Sequence, residues 1–216
     1  MDGLDLDLVL HTPVHVGTGV SRLGVHETLD RRVPVPASSV KGVMRAAAVD
    51  LLTAGRDPYR AAAETAPEPD DEHGRAGDVA DEHPPLVRAV FGDRGAASPW
   101  HWSDPAPVSA RPGDEVEHRT RIRIDPHTGT VLDGALVVTE VFPPGTLRLS
   151  VTRRHPVEAA DLAAHHALLL LSALLVDGVG GGRSAGLGWA GLTPISRTTT
   201  PDLARLVQEV RTWIPR

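Results

Sequence analysis

The segment GVGGGRSAGLGWAG, residues 178–191, restricts the possible folds of this 216-residue chain more than any other stretch. Seven of its fourteen residues are glycine, and it follows the apolar run 162–176. Glycine permits left-handed turns and lets backbone N–H groups approach a ligand closely, which is how loops cradle phosphate. The phosphate-loop and dinucleotide patterns both fail here, because no Gly-Lys-Ser/Thr follows and a helix, not a strand, precedes the glycines. The segment favours a backbone contact to phosphate near Arg183 over a plain helix C-cap and turn.

Composition indicates a globular protein with one domain over residues 1–216. Hydrophobic residues make up 41% of the chain, aromatic residues only 3%, and cysteine is absent. The absence of cysteine excludes disulfides and thiolate metal sites and is typical of a reducing compartment, so a cytoplasmic location is expected. The alternating, acidic N-terminus predicts neither a signal peptide nor a membrane span, and the run 162–176 is too short to cross a bilayer. No membrane partner is expected.

The acidic charge of the chain is concentrated in one segment. The formal net charge is −6, but residues 64–82 hold eight acidic residues and one arginine. Without them, 21 basic residues face 20 acidic ones. The surrounding stretch 54–84 is rich in proline, glycine and acid, which predicts a mobile insertion. A basic groove elsewhere in the chain is therefore compatible with the negative total.

The spacing of hydrophobic residues predicts a series of strands and helices along the chain. LDLDLVL predicts a half-buried strand over 4–10, and apolar spacing predicts a helix that Ser38 or Ser39 can cap. The later patterns predict a short helix within 84–92, a β-hairpin over about 115–140, a strand over 145–154, a helix over 157–176, a short strand over 187–192 and a C-terminal helix over about 201–214. This order predicts an α+β fold of the ferredoxin-like βαββαβ type with an inserted hairpin.

Two further stretches place basic residues where an anion could bind. In VPVPASSVKGVMR, Lys41 and Arg45 share one face of a helix whose N-terminus favours an anion. Gly42 lowers helix stability and suggests that something outside the chain approaches closely. The hairpin carries Arg119, Arg121 and Arg123 on alternate positions, hence on one face, which would suit an RNA groove. Solvated basic surfaces explain each stretch equally well on its own.

Five stretches occur in an order that resembles the RAMP superfamily of CRISPR-associated proteins. They are HTPVHVGTG, VPVPASSVKGVMRAAA, VFGDRG, TRIRIDPHTGTVLDGALVVTEVFPPGT and GVGGGRSAGLGWA. The resemblance runs from Leu4 to about Leu192, interrupted by the 54–84 insertion. The "PxSSxKG" helix start and the glycine loop are its most specific parts. The hairpin pattern resembles that of the backbone (Cas-seven group) subunit of type III effector complexes.

This resemblance implies a modified ferredoxin-like (RRM-like) palm with a projecting hairpin thumb over about 121–138 and a terminal glycine-rich loop. Copies of such a subunit stack along a guide RNA, and each thumb interrupts the guide–target duplex. The implied partners are guide RNA, target RNA, other effector subunits and further copies of the chain. The implied RNA-binding residues are His15, Ser38, Ser39, Lys41, Arg45, Arg119, Arg121, Arg123, Gly180, Gly181, Gly182, Arg183, Ser184 and Gly186. No cofactor is implied for RNA binding.

The chain departs from the family where a target-cleaving aspartate normally stands. In LGVHETLDRR, His26 occupies that position, Glu27 is adjacent and Asp30 lies four residues on. Histidine is no hard ligand for Mg²⁺, although it can act as a general base. Absent or weak target cleavage is therefore expected.

Three alternatives stay open at the level of sequence. The first is a backbone subunit that cuts target RNA with Mg²⁺ or another divalent cation, using His26, Glu27 or Asp30. The second is a guide-processing endoribonuclease of the same superfamily. The third is a scaffold that binds no RNA and whose glycine loop is only a turn.

Overall fold

A computed structural model describes residues 3–22, 24–53, 83–108, 116–122, 124–132, 134–195, 202–211 and 213. The predicted acidic insertion lies almost entirely outside these ranges, as does Arg123.

The central sheet is built around strand β1 (Gly3–Leu10), whose alternation places Leu6, Leu8 and Leu10 in the core. On one side β1 pairs with β6 (Gly145–Arg153), and on the other with β7 (Ala190–Pro194). Strand β2 (Trp100–Trp102) pairs with the far side of β6, which gives the order β2–β6–β1–β7 with every pair antiparallel. The two-residue strand β3 (Ala106–Pro107) also pairs with β6.

Helices cover the sheet through an aliphatic core. They are α1 (Ala37–Thr53), α2 (Pro85–Phe91), α3 (Leu162–Leu174) and α4 (Leu203–Arg211). Helix α3 is apolar around most of its circumference, which is the pattern of a helix buried among neighbours, and it packs on α1, α2, α4 and β7. Helix α1 buries Val40, Met44 and Ala48, which are spaced four residues apart and share one helical face.

A second, two-stranded sheet stands apart from the central one. Strand β4 (Glu117–Arg121) pairs in antiparallel register with β5 (Val137–Val141), as the sequence predicts for the hairpin. Two further bridges anchor this hairpin: Glu27 pairs with Thr139, and Val14 pairs with Phe142. The hairpin therefore joins the rest of the chain through the segment that links β1 to α1.

The α+β class and the antiparallel sheet are confirmed, whereas several element bounds differ from the prediction. Strand β2 was not predicted, because three residues are too few to show a period, and its Trp100 and Trp102 are buried. Helix α3 begins at Leu162 and not at 157, because turns occupy 159–161. Strand β7 begins at Ala190, three residues later than predicted, because the glycine loop extends to Trp189.

Helix α1 also begins differently from the prediction. Neither serine caps it: Ser38 and Ser39 lie inside the first turn, and the N–H of Ala37 donates to Asp104 Oδ1 at 2.8 Å. Within the described ranges, the helices are all too short or too polar to cross a membrane.

Buried His165 on α3 makes the stability of the fold depend on pH. Trp100 Nε1–H donates to its Nδ1 at 3.1 Å, and burial lowers the pKa of His165. Below about pH 6.5 the unfolded chain takes up a proton that the folded chain resists, so we expect the free energy of unfolding to fall as pH falls from that value. Urea unfolding between about pH 7.5 and pH 5.5 measures this loss.

The matched variants for this measurement are His165→Gln and His127→Gln. His127 is exposed in the hairpin turn, so His127→Gln should keep the wild-type pH dependence. His165→Gln should flatten it, because the titrating ring is gone. Equal pH dependence in His165→Gln and the wild type would contradict the assignment.

Candidate functional site

The glycine loop between α3 and β7 adopts a conformation that only glycine accommodates at two of its positions. Gly180 has a φ of +82° and Gly188 a φ of +73°. A Cβ on Gly180 would lie 2.4 Å from the carbonyl oxygen of His15, and one on Gly188 would lie 2.2 Å from that of Val179. These glycines are therefore required by the packing of the loop on itself and on the segment after β1.

Hydrogen bonds attach the glycine loop to the segment after β1, and three successive N–H groups of the loop take no part in them. Gly181 N–H donates to the His15 carbonyl oxygen and Gly188 N–H to that of Pro13, both at 2.8 Å. After Gly182 the chain makes a 3-10 turn over Arg183–Ala185. Among the described residues, the N–H groups of Gly182, Arg183 and Ser184 have no protein acceptor. Successive amides of this kind form a concavity that suits an anion.

Arg183 lies beside these amides and makes a surface ion pair. Its Nη2 is 2.6 Å from Asp177 Oδ1, and both side chains are more than half exposed. Its Nε lies 3.0 Å from the position that a Cβ on Gly178 would take, so Gly178 makes room for the guanidinium. Exposed ion pairs contribute little to stability, so exchange of Asp177 for a phosphate costs little.

His15 is buried, and its ring and backbone both contact the protein. Its Nδ1–H donates to the carbonyl oxygen of Glu140 at 2.6 Å, while its own carbonyl accepts Gly181 N–H. His15 thereby joins the hairpin to the glycine loop. Its predicted contact with RNA stays a prediction.

Lys41 and Arg45 of α1 are both half-buried, and Lys41 lies against Trp102 of β2. Lys41 Nζ lies 5.0 Å from the ring centroid of Trp102, and burial, with a smaller contribution from the charge of Arg45, lowers the pKa of Lys41. Gly42 is exposed, and a Cβ placed on it would meet nothing within 4 Å. The fold therefore gives no internal reason for glycine at this position. Within the described residues, no hydrogen bond joins Ser38, Ser39 or Lys41 to the glycine loop.

The hairpin arginines share a face, as predicted, where the structure describes them. The register places Arg119 opposite Thr139 and Arg121 opposite Val137, two positions along the same face. Arg119 is exposed, whereas Arg121 Nη2 is 2.9 Å from Glu27 Oε2. Arg123 lies outside the described residues.

Glu27 is held as a carboxylate by two donors. Thr139 Oγ1–H donates to its Oε2 at 2.5 Å, and Arg121 donates to the same oxygen. The hydrogen bond from Thr139, followed by the charges of Arg121 and His15, lowers the pKa of Glu27 against the opposing effect of burial. A carboxylate with a lowered pKa and two donors is a poor general base.

The side chains of His26 and Asp30 each accept a hydrogen bond from a backbone amide. His26 Nδ1 accepts the N–H of Val138 at 3.0 Å, so the neutral ring carries its proton on Nε2. Asp30 Oδ1 accepts the N–H of Arg32 at 2.8 Å in a local turn. The structure thus brings His26, Glu27 and Arg121 to the hairpin and leaves Asp30 in a turn of its own.

The side chains of His26, Glu27 and Asp30 do not fit a divalent-cation site. In the described ranges, no group of three or more histidine and acidic side chains is placed to hold a metal ion. The charge of the Glu27 carboxylate is already balanced by Arg121. A cation there would have to displace both this arginine and the Thr139 hydroxyl.

The comparison that decides the family is a sequence match along most of the chain. The sequence model described as RAMPs, the RAMP superfamily, matches residues 7–190, which include the second half of β1, all of α1, the hairpin and the glycine loop. The chain belongs to the RAMP superfamily. No protein with a curated description matches it significantly.

Solved structures share the fold of this RAMP-superfamily chain at low sequence identity. A chain of the type III-B Cmr-beta complex in its apo state has a TM-score of 0.60 and 14% identity, covering 91% of this chain and 98% of that one. A chain of Cmr-beta bound to cognate target RNA has a TM-score of 0.54 and 14% identity, covering 89% and 96%. A chain of a type IV-B CRISPR complex has a TM-score of 0.53 and 18% identity, covering 93% of each.

Sequence reasoning missed Glu140, a buried acid of this RAMP-superfamily chain. Its side chain is 1% exposed, and it accepts Arg31 Nη2–H at 2.6 Å and Leu29 N–H at 3.1 Å. Burial raises the pKa of Glu140, but these hydrogen bonds outweigh it and the net shift is downward. Strand alternation could not have indicated the burial of Glu140, because Thr139, Glu140 and Val141 are all buried, and no local pattern points to Arg31.

Two glycines of the loop provide a matched test of its geometry. Gly180→Ala should lower the free energy of unfolding by about 2–4 kcal/mol, because the Cβ meets a backbone oxygen and φ is positive. Gly186 has a φ of +78° but open space around it, so Gly186→Ala should cost only about 1–2 kcal/mol. Chemical denaturation measures both values, and equal losses would show that the contact with His15 is absent.

Proposed function

We propose that this chain is an RNA-binding subunit of a CRISPR effector complex of the type III class, which holds guide RNA and positions target RNA. The observation that carries the proposal is the turn at Gly182–Ser184, where three neighbouring amides find no acceptor among the described residues and lie beside an exchangeable arginine. Amides and scattered cations bind phosphate without reading sequence, which is what a holder of variable guides needs.

The family and the similar structures support the assignment to an effector complex. RAMP-superfamily membership is established by the match over residues 7–190, and the similar chains come from CRISPR complexes, one of them bound to cognate target RNA. On this proposal the partners are guide RNA, target RNA, other effector subunits and further copies of the chain.

The proposed architecture is a ferredoxin-like palm with a hairpin thumb. The palm is the sheet β2–β6–β1–β7 with its helices. Its main elements follow one another as β1, α1, β2, β6, α3 and β7, with α2, the two-residue β3 and the hairpin inserted between them and α4 after them. The thumb is the hairpin of β4 and β5, which forms a sheet of its own. Its exposed arginine face would lie along RNA.

We further propose that target RNA is held without being cut. The Glu27 carboxylate is bonded to Arg121 and Thr139, and a proton on His26 Nε2 makes that atom a donor. Such a donor can bind a phosphate or a ribose hydroxyl of the target. This favours positioning over the alternative of a metal-dependent endoribonuclease.

Gly42→Ala tests the RNA-binding proposal without changing charge. Alanine should raise the free energy of unfolding by up to about 1 kcal/mol, because it favours the helix and meets open space. The same methyl group should weaken binding of single-stranded RNA about tenfold, because it stands between the α1 backbone and the RNA. Titration of labelled RNA at several salt concentrations measures the affinity, which should fall steeply with salt.

Ala46→Gly, one turn along α1 and also exposed, is the matched control. It should lower stability by about 1 kcal/mol and leave RNA affinity unchanged. Affinity that rose in Gly42→Ala and fell in Ala46→Gly would show that binding follows helix stability alone. A wild-type chain that bound no RNA at low salt would refute the proposed function.

The non-cleaving assignment has its own test. Target RNA incubated with Mg²⁺ and the chain assembled on guide RNA should remain intact, and Glu27→Gln should behave as the wild type does. Denaturing gels measure the product. Regularly spaced fragments that disappear in His26→Ala would overturn this assignment and favour the endoribonuclease.

A further inference from the structure

Trp189, at the end of the glycine loop, is 61% exposed although its backbone is firmly held. Its N–H donates to Thr12 Oγ1 and its carbonyl accepts His11 N–H, both at 2.9 Å. Trp100 and Trp102 are buried, so exposure is not general for this residue type in the chain. An indole ring on a held backbone therefore presents an uncovered aromatic face to solvent.

The imidazole ring of His11 lies beside the indole ring of Trp189. The ring centroids of His11 and Trp189 lie 4.7 Å apart with the planes tilted by 41°. His11 is itself exposed, so the pair forms a small aromatic surface and not a buried stack. This contact restricts the orientation of the indole ring in the absence of a ligand.

A cation lies on the same face as the indole ring. Gly178 and Trp189 form an antiparallel bridge, and opposed residues in such a pair project to one side with Cβ positions about 4.5–5.5 Å apart. The guanidinium of Arg183 approaches Gly178 on its side-chain side, since its Nε and Cζ lie 3.0 and 3.1 Å from where a Cβ would be. Arg183 and the Trp189 side chain therefore lie on the same side of this bridge.

We infer that Trp189 and Arg183 form a nucleotide subsite in which an unpaired base stacks on the indole ring and its phosphate binds the guanidinium. Aromatic rings beside cations are how proteins hold single-stranded nucleic acid, because every base offers a π-face. The amides of Gly182–Ser184 belong to the same loop and supply further donors for the phosphate. The inference rests on the proposed function and adds a contact to the base itself.

A contact with another protein is the alternative occupant of this surface. Leu175, at the end of α3, is 51% exposed and precedes Gly178 by three residues, so a protein partner could cover both Leu175 and Trp189. Arg183 and the amides of Gly182–Ser184 favour a ligand that carries both an aromatic ring and an anion. A nucleotide has both groups, whereas an apolar protein surface has no anion.

The test compares wild type, Trp189→Ala, Trp189→Phe and Leu175→Ala in binding to two probes. The probes are a short oligoadenylate and a sugar–phosphate strand of the same length without bases. Trp189→Ala should weaken binding of oligoadenylate between about fivefold and a hundredfold, and Trp189→Phe should restore most of it. Binding of the abasic strand should be the same in all four proteins.

Tryptophan fluorescence gives a second measurement on the same samples. The chain has four tryptophans, and base stacking on Trp189 should quench the emission of the wild type when oligoadenylate is added but not when the abasic strand is added. Trp189→Phe should lose this quenching while it still binds. Because Trp189 is exposed and Leu175 is half-exposed, we expect each variant to fold.

Three outcomes would overturn the inference. If the wild type binds neither probe, the proposed function fails and the subsite fails with it. If the wild type binds RNA and Trp189→Ala binds oligoadenylate equally well, the subsite fails and the proposed function survives. If Leu175→Ala and Trp189→Ala both reduce self-association while RNA affinity is unchanged, the surface is a protein contact.

Discussion

The arrangement of the candidate site depends on the burial of one carboxylate, that of Glu140. A buried carboxylate without partners is strongly unfavourable, so the chain must bring donors to it. Arg31 and the N–H of Leu29 supply them, and the backbone of Glu140 binds His15 through its carbonyl and Glu27 through its N–H. One residue of the hairpin thus fixes the segment that links β1 to α1.

The glycine loop is attached to the same group of contacts. The His15 carbonyl accepts the N–H of Gly181, and the Pro13 carbonyl accepts that of Gly188. The loop passes so close to His15 that position 180 has no space for a side chain. The hairpin, the 26–30 segment and the loop are therefore positioned together, and none of them relies on the apolar core alone.

Different interactions stabilise the fold and position the candidate site. The hydrophobic core between the central sheet and the helices stabilises these elements, while polar contacts of individually modest strength orient the surfaces that we propose to hold RNA. Several of these contacts are exchangeable at the surface. The pair of Arg183 with Asp177 is exposed on both sides, so the arginine can change partners without unfolding anything.

Local periodicity in the sequence determined β1, α1 and β6, because each is long enough to repeat its pattern of burial. The hairpin was indicated by its turn sequence and its alternating arginines, since β4 is exposed along its whole length. The glycines of 178–191 likewise indicated a loop with left-handed turns. Tertiary structure alone decided that Trp100–Trp102 forms a strand, that Asp104 caps α1 and that Glu140 meets Arg31. It also decided that Arg183 and Trp189 lie on the same side of the loop, since that placement depends on the bridge from Gly178. The physical reason is that hydrophobic patterning reports which face of an element is buried, whereas a specific polar partner is chosen by how distant segments meet in space.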